Sequence, residues 1–249
     1  MIPFLGTAIG SFFVFFMRKN VNNFAQVSIQ GISSGVMTAA AVWSLLIPAI
    51  ELSQKRGQNP LVMTSLGFVS GVVLFIACER ILELMRGQGT LSKRYGKSLL
   101  PCIAVALHNF PEGMAVGAVF AEVAYSSDAS ALSAAMALSL GIAIQNLPEG
   151  AIISVPLYAD GVKRKKAFLL GVASGIVEPI GAVATIIAAR IAVPILPFLL
   201  GVSAGAMIFA VLDCIFQREY QQESRSKSLF SLCFSVGFTI MMSLDVLLG

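Results

Sequence analysis

The residues with the clearest chemical potential form two related six-residue motifs, His108-Asn109-Phe110-Pro111-Glu112-Gly113 and Gln145-Asn146-Leu147-Pro148-Glu149-Gly150. The second motif follows the first by 37 positions, and both fit the pattern (His/Gln)-Asn-x-Pro-Glu-Gly. Each motif lies inside a long apolar run. Because polar and ionisable side chains are costly in a lipid-embedded helix, their presence there indicates a functional site.

The spacing within each motif is typical of a metal site. The first residue and the glutamate are four apart, so they share one face of a helix, and the asparagine lies about 100° around it. The proline donates no backbone hydrogen bond and therefore leaves a carbonyl oxygen available. Imidazole and carboxylates together suit a divalent cation such as Zn²⁺. The candidate ligands are His108, Asn109, Glu112, Gln145, Asn146 and Glu149.

A simpler interpretation is that both motifs are proline kinks with incidental polar residues packed between helices. The recurrence of a carboxylate at membrane depth in both copies argues against this interpretation.

The composition indicates one polytopic membrane domain spanning residues 1–249. Of the 249 residues, 57% are hydrophobic and 12% are charged, whereas soluble domains carry about 25% charged residues. The net charge of +4 is better explained by membrane orientation than by nucleic-acid binding. The four cysteines form no CxxC pair, so neither disulfides nor a thiolate site are expected.

Apolar segments of sufficient length predict an all-α protein with eight transmembrane helices. The predicted spans are 2–17, 31–52, 60–82, 98–124, 131–158, 167–192, 194–216 and 228–248. The N-terminus lacks the basic region of a signal peptide, so the first span is expected to be retained.

The distribution of basic residues predicts the orientation. With the N-terminus outside, 14 of the 17 Lys and Arg residues fall in cytoplasmic segments and 3 fall in outer ones. Cytoplasmic loops are the ones enriched in Lys and Arg, so both termini should be extracytoplasmic. The expected location is the plasma membrane, which is the inner membrane of a bacterial cell.

A second sequence repeat predicts the arrangement of the helices. Gly31-x-Ser33-x-Gly35-x-Met37 in the second span recurs as Gly201-x-Ser203-x-Gly205-x-Met207 in the seventh. With five spans between them, the copies run in opposite directions, as in inverted-topology repeats that bind substrate near the midplane. The prediction is a 3+2+3 arrangement, with helices 1–3 related to helices 6–8.

The paired motifs resemble the signature of the ZIP family of divalent-metal transporters, in their fourth and fifth transmembrane helices. The similarity covers nearly the whole chain and is greatest to the prokaryotic, GufA-like branch. It implies transport of Zn²⁺ into the cytoplasm, with the metal as cargo and no resident cofactor. It also implies that Glu112 and Glu149 are central carboxylates able to bridge two ions, and that Glu178 faces the site from the sixth helix.

Three further positions have weaker support. In ZIP relatives the position of Met37 can contribute to the site, although a core methionine is the commoner role. Asp213 and Glu51 lie near opposite ends of their spans and could be exit and entrance stations, or interfacial charges. Gln145 stands where many ZIP proteins have histidine, which leaves Mn²⁺, Fe²⁺, Co²⁺ and Cd²⁺ as competing substrates.

The main alternative is an intramembrane metal-dependent hydrolase using the same ligands. It is disfavoured because the sequence lacks H-E-x-x-H and its only histidine is already assigned to the metal. The sequence does not choose between a carrier and a channel, or between a monomer and a homodimer. It offers no explanation for Asp245 in the last span.

Overall fold

The computed structural model describes residues 1–17, 23–87, 99–125, 129–159, 161–216 and 224–248, and this part of the chain is helical with no strand. The helices are α1 Ile2–Phe12, α2 Asn23–Ala40, α3 Ile47–Lys55, α4 Pro60–Gly87, α5 Leu99–Tyr125, α6 Ala129–Ala159, α7 Arg164–Gly175, α8 Val177–Ile187, α9 Ala189–Ala192, α10 Leu196–Phe216 and α11 Ser224–Leu248. A 3₁₀ turn, Phe13–Phe15, extends α1, and a π-helical stretch, Ala41–Leu46, joins α2 to α3.

Six segments of the described chain are long and apolar enough to cross a bilayer, which makes this a multi-pass membrane protein. They are Asn23–Lys55, Pro60–Ile81, Ala131–Ala159, Arg164–Ile187, Leu196–Phe216 and Ser226–Leu247. A shorter apolar helix covers Ile2–Phe15. Helix α5, which carries the first motif, is 27 residues long and falls outside these six. The all-α membrane class is therefore confirmed, whereas the count of eight spans stays a prediction.

The sixth predicted span is not one continuous helix over 167–192. It divides into α7, which ends at Gly175, and α8, which begins at Val177 and is followed by the short α9. Pro179 explains the division, because a proline removes the hydrogen bond to the residue four positions earlier and its ring clashes with that carbonyl. That residue is Gly175, the last of α7.

The π-helical stretch between α2 and α3 also precedes a proline. Pro48 lies in the first turn of α3, and the residue four positions earlier is Ser44, inside the wide turn. A wider turn relieves the clash between the proline ring and that carbonyl, so α2 continues into α3 without a break. Single π-turns are frequent at functional sites, and this one orients Ser44 toward α11. The Ser44 hydroxyl donates a hydrogen bond to Asp245 Oδ1 at 2.5 Å.

The helices pack mainly as four pairs: α1 with α6, α5 with α8, α2 with α11, and α4 with α10. Glycines allow each pair to approach at backbone distance. A β-carbon on Gly35 would overlap the carbonyl of Phe234, and one on Gly205 would overlap the carbonyl of Phe68. Small residues at helix crossings are the usual basis of close association in membranes, where lipid tails are as apolar as the side chains.

The segment after α3 fastens several helices together at one end of the bundle. Gly57 has a φ of 66°, and the Gly57 and Gln58 amides close the helix with a Schellman motif. The Arg56 guanidinium then binds the carbonyl of Val193 and forms an ion pair with Glu122 of α5 at 2.7 Å. This end of α3 is thereby connected to α5 and to the α9–α10 connection.

Candidate metal centre

The two motifs lie on long helices that continue through their prolines, α5 through Pro111 and α6 through Pro148. Neighbouring helices enclose the polar side chains almost completely. The exposed fraction is 0% for Asn109, Glu112, Gln145 and Asn146, 3% for Glu149, and 2% for Glu178. Buried carboxylates and amides at this depth require partners or a cation, because their transfer from water is otherwise strongly unfavourable.

Helices α5 and α6 are joined by their motif side chains. The Gln145 amide nitrogen donates to Glu112 Oε1 at 3.0 Å. This hydrogen bond connects the first position of one motif to the carboxylate of the other. The two motifs therefore face each other across one helix contact.

Helix α8 brings the third carboxylate to the same region. The Asn109 amide donates to Glu178 Oε1 at 3.2 Å and to the carbonyl of Ser174 at 3.4 Å. Gly113 allows this approach, since a β-carbon there would overlap the backbone of Glu178. Asn109 therefore holds the divided sixth segment against α5 at its break.

Several buried oxygen atoms of the site have no hydrogen-bond partner within the described residues. They are Asn109 Oδ1, Gln145 Oε1, Asn146 Oδ1 and Glu178 Oε2. In each case the other polar atom of the same side chain makes a hydrogen bond, as Asn146 does by donating to the carbonyl of Pro3 at 3.5 Å. Unsatisfied buried oxygens need an explanation, and oxygen ligands for a divalent cation supply one.

Three carboxylates, those of Glu112, Glu149 and Glu178, are buried in this region. Like charges in a low-dielectric region cannot all stay ionised without a counter-charge. Among the described side chains, however, no group of three or more His, Cys, Asp and Glu is preassembled to hold a metal ion. The backbone of His108 belongs to α5, but its side chain lies outside the described residues.

The weaker predicted positions lie on α2, α3 and α10. The Met37 sulfur is buried and accepts a hydrogen bond from the Ser33 hydroxyl at 3.9 Å. Glu51 is exposed on α3, and Asp213 is half-buried near the end of α10. Their proposed roles remain predictions.

Two residues at the site were missed by sequence reasoning. The Thr7 hydroxyl of α1 donates to Glu178 Oε1 at 2.8 Å, and the sulfur of Met207 on α10 lies 4.0 Å from the Gln145 amide nitrogen. Met207 could have been predicted from the sequence, because it is the repeat counterpart of Met37. Thr7 could not, because a single threonine in an apolar helix carries no pattern.

Comparison with known proteins agrees with the geometry. The family model described as ZIP zinc transporter matches residues 90–245. Zinc transporter ZIP11 of Xenopus tropicalis is 30% identical over 98% of this chain and 94% of its own length. Zinc transporter GufA of Myxococcus xanthus is 29% identical over 88% and 85%, and zinc transporter ZIPB of Bordetella bronchiseptica is 30% identical over 99% and 79%. A chain with two buried proline–glutamate motifs in facing helices, matched by this model over more than half its length, belongs to the ZIP family.

Proposed function

We propose that this protein transports divalent metal cations, with Zn²⁺ as the leading substrate, across the membrane into the cytoplasm. The observation that carries the proposal is the pair of buried contacts that α5 makes with α6 and with α8. There Gln145 is hydrogen-bonded to Glu112, and Asn109 is hydrogen-bonded to Glu178. Its relatives ZIP11, GufA and ZIPB are named as zinc transporters.

The chemistry of the donors supports a cation in transit. Carboxylate and amide oxygens bind divalent ions, and His108 would add a nitrogen ligand that favours Zn²⁺. Glu112 and Glu149 are the proposed central ligands, with Gln145, Asn146 and Asn109 as neutral oxygen ligands. One or two divalent ions would compensate most of the carboxylate charge, and protons would do so after release.

The proposed arrangement is an inverted repeat, in which predicted spans 1–3 are related to predicted spans 6–8. Helices α5 and α6, which are predicted spans 4 and 5, lie between the two halves. Matched side-chain contacts support this arrangement. Asn109 donates to the carbonyl of Ser174 in the sixth segment, and Asn146 donates to the carbonyl of Pro3 in the first. The two asparagines occupy the same position in the two motifs, so each central helix binds an outer helix in the same way.

Matched backbone contacts support the same arrangement. Gly35 of α2 meets the carbonyl of Phe234 on α11, and Gly205 of α10 meets the carbonyl of Phe68 on α4. Gly35 and Gly205 are equivalent in the Gly-x-Ser-x-Gly-x-Met repeat. Inverted repeats of this kind allow alternating access, in which one group of helices moves against the other around a central site.

An intramembrane hydrolase gains no support from the relatives, which are named as zinc transporters. Reconstitution of the purified protein into proteoliposomes tests the proposal directly. We expect saturable accumulation of Zn²⁺ that external Cd²⁺ or Mn²⁺ inhibits. Empty liposomes are the control, and zinc entry that equals theirs would refute the proposal. Uptake that stays linear in Zn²⁺ concentration would indicate a channel instead of a carrier.

The proposed orientation places both termini outside the plasma membrane. Protease treatment of spheroplasts carrying a C-terminal epitope tag should remove the tag, whereas a tag at the loop around Lys163 should be protected. The reverse pattern would invert the topology. The mass of the reconstituted particle would distinguish a monomer from a homodimer.

A further inference from the structure

The hydroxyl of Thr7 on α1 reaches the metal centre from outside the two motif helices. It is fully buried and donates to Glu178 Oε1 at 2.8 Å. We propose that Thr7 is a positioning residue of the metal centre, which fixes the Glu178 carboxylate so that its second oxygen is presented to the cation. This inference rests on the proposed transport function and concerns the same site.

The two oxygens of the Glu178 carboxylate have different surroundings. Both donors, the Thr7 hydroxyl and the Asn109 amide, bind Oε1. The other oxygen, Oε2, is buried and has no hydrogen-bond partner among the described residues. Two donors on one oxygen fix the rotation of the carboxylate, and the remaining oxygen is left for a cation.

Thr7 itself is held in place by close packing. A β-carbon on Gly175 would stand 2.9 Å from Thr7 Cβ, and a β-carbon on Gly150 would overlap the Thr7 carbonyl. That carbonyl also accepts a hydrogen bond from the Ser11 hydroxyl at 2.8 Å. Thr7 is thus enclosed by glycines of α6 and α7, which leaves its hydroxyl little freedom to turn elsewhere.

The proposed repeat also relates Thr7 to Glu178. Asn109 binds the carbonyl of Ser174, four residues before Glu178, and Asn146 binds the carbonyl of Pro3, four residues before Thr7. In the proposed inverted repeat, Thr7 therefore occupies the position that Glu178 occupies in the other half. One half of the repeat supplies the Glu178 carboxylate and the other supplies the Thr7 hydroxyl, so the two equivalent positions are joined by a hydrogen bond.

Groups that orient a metal ligand typically change affinity or activity by about 10- to 100-fold when removed. We expect Thr7→Val to weaken Zn²⁺ binding by about this factor, measured in detergent by competition with a fluorescent zinc chelator. The Michaelis constant for proteoliposome uptake should rise in parallel. Thr7→Ser, which keeps the hydroxyl, should restore most of the affinity.

Thr185→Val is a matched control. Thr185 is 3% exposed, but its hydroxyl donates to the carbonyl of Gly181 in its own helix. The same chemical change at a similarly buried position should leave the dissociation constant for Zn²⁺ unchanged.

A double-mutant cycle separates positioning from a general effect on folding. If Thr7 acts through Glu178, Thr7→Val should cause no further loss of affinity in a Glu178→Ala background. An additive loss, failure of Thr7→Ser to restore binding, or wild-type affinity in Thr7→Val would each overturn the inference while leaving transport intact. Absence of zinc binding and uptake in the wild-type protein would overturn the proposed function as well.

Discussion

Replacement of Gln145 by histidine tests what determines metal preference at this site. The Gln145 amide nitrogen donates to Glu112 Oε1 at 3.0 Å, while the amide oxygen is buried with no hydrogen-bond partner among the described residues. A neutral imidazole also offers one donor and one acceptor. Histidine can therefore keep the hydrogen bond to Glu112 while presenting nitrogen instead of oxygen to the cation.

The size of the effect follows from these two contacts. A hydrogen bond to a charged group contributes about 1.5–3 kcal/mol, so losing it would weaken binding by about 10- to 150-fold. Imidazole is a better zinc ligand than an amide oxygen, and we take the gain as about tenfold, or about 1.4 kcal/mol. Because the imidazole can keep the donation to Glu112, we expect Gln145→His to tighten zinc binding by about tenfold.

The assay is zinc uptake into proteoliposomes with Mn²⁺ as competitor. For Gln145→His we expect the Mn²⁺ concentration that halves zinc uptake to rise about tenfold, because the harder ion gains less from a nitrogen ligand. Gln145→Leu, which removes both donor and acceptor, is the control and should weaken zinc binding. An unchanged competition profile in Gln145→His would show that this side chain does not contact the transported ion.

Four other substitutions test separate parts of the structure. Glu112→Ala and Glu149→Ala should each abolish zinc uptake while the protein still reaches the membrane, and uptake retained in both variants would remove the central claim. Ser44→Ala should lower the free energy of unfolding by about 1–3 kcal/mol, because it strips Asp245 of a donor, and the loss should vanish in an Asp245→Ala background. Gly205→Ala should lower the free energy of unfolding by about 1–3 kcal/mol, because the added methyl group would overlap the facing carbonyl of α4. An unchanged unfolding midpoint would argue against that contact.

The polar residues at membrane depth were predictable from sequence because their type is exceptional in an apolar helix. In the structure Asn109 is hydrogen-bonded to Glu178 and Gln145 is hydrogen-bonded to Glu112, and all four side chains are buried. Which atom binds which was not predictable, because donors and acceptors on different helices meet only after packing. Thr7 illustrates this point, since its partner Glu178 lies 171 positions away.

The helix interruptions were harder to predict from sequence. Pro179 coincides with a break at Ile176, whereas α5 and α6 continue through Pro111 and Pro148. A proline removes one hydrogen bond in every case, and the surrounding helices determine whether the rod divides. Asp245 was unexplained for a related reason, since its donor Ser44 lies in a π-turn 201 positions away.

The π-helical turn at Ala41–Leu46 also bears on the direction in which the cation is transported. Helix α10, the proposed counterpart of the α2–α3 rod, is α-helical throughout Leu196–Phe216 and contains no such turn. A π-turn rotates the part of the helix that follows it. The α2–α3 segment and α10 therefore correspond up to Met37 and Met207, and beyond these residues they present different faces. A transporter with two identical halves would have the same side chains at both ends of its site. In the proposed inverted repeat, the two ends of the site are therefore lined by different side chains.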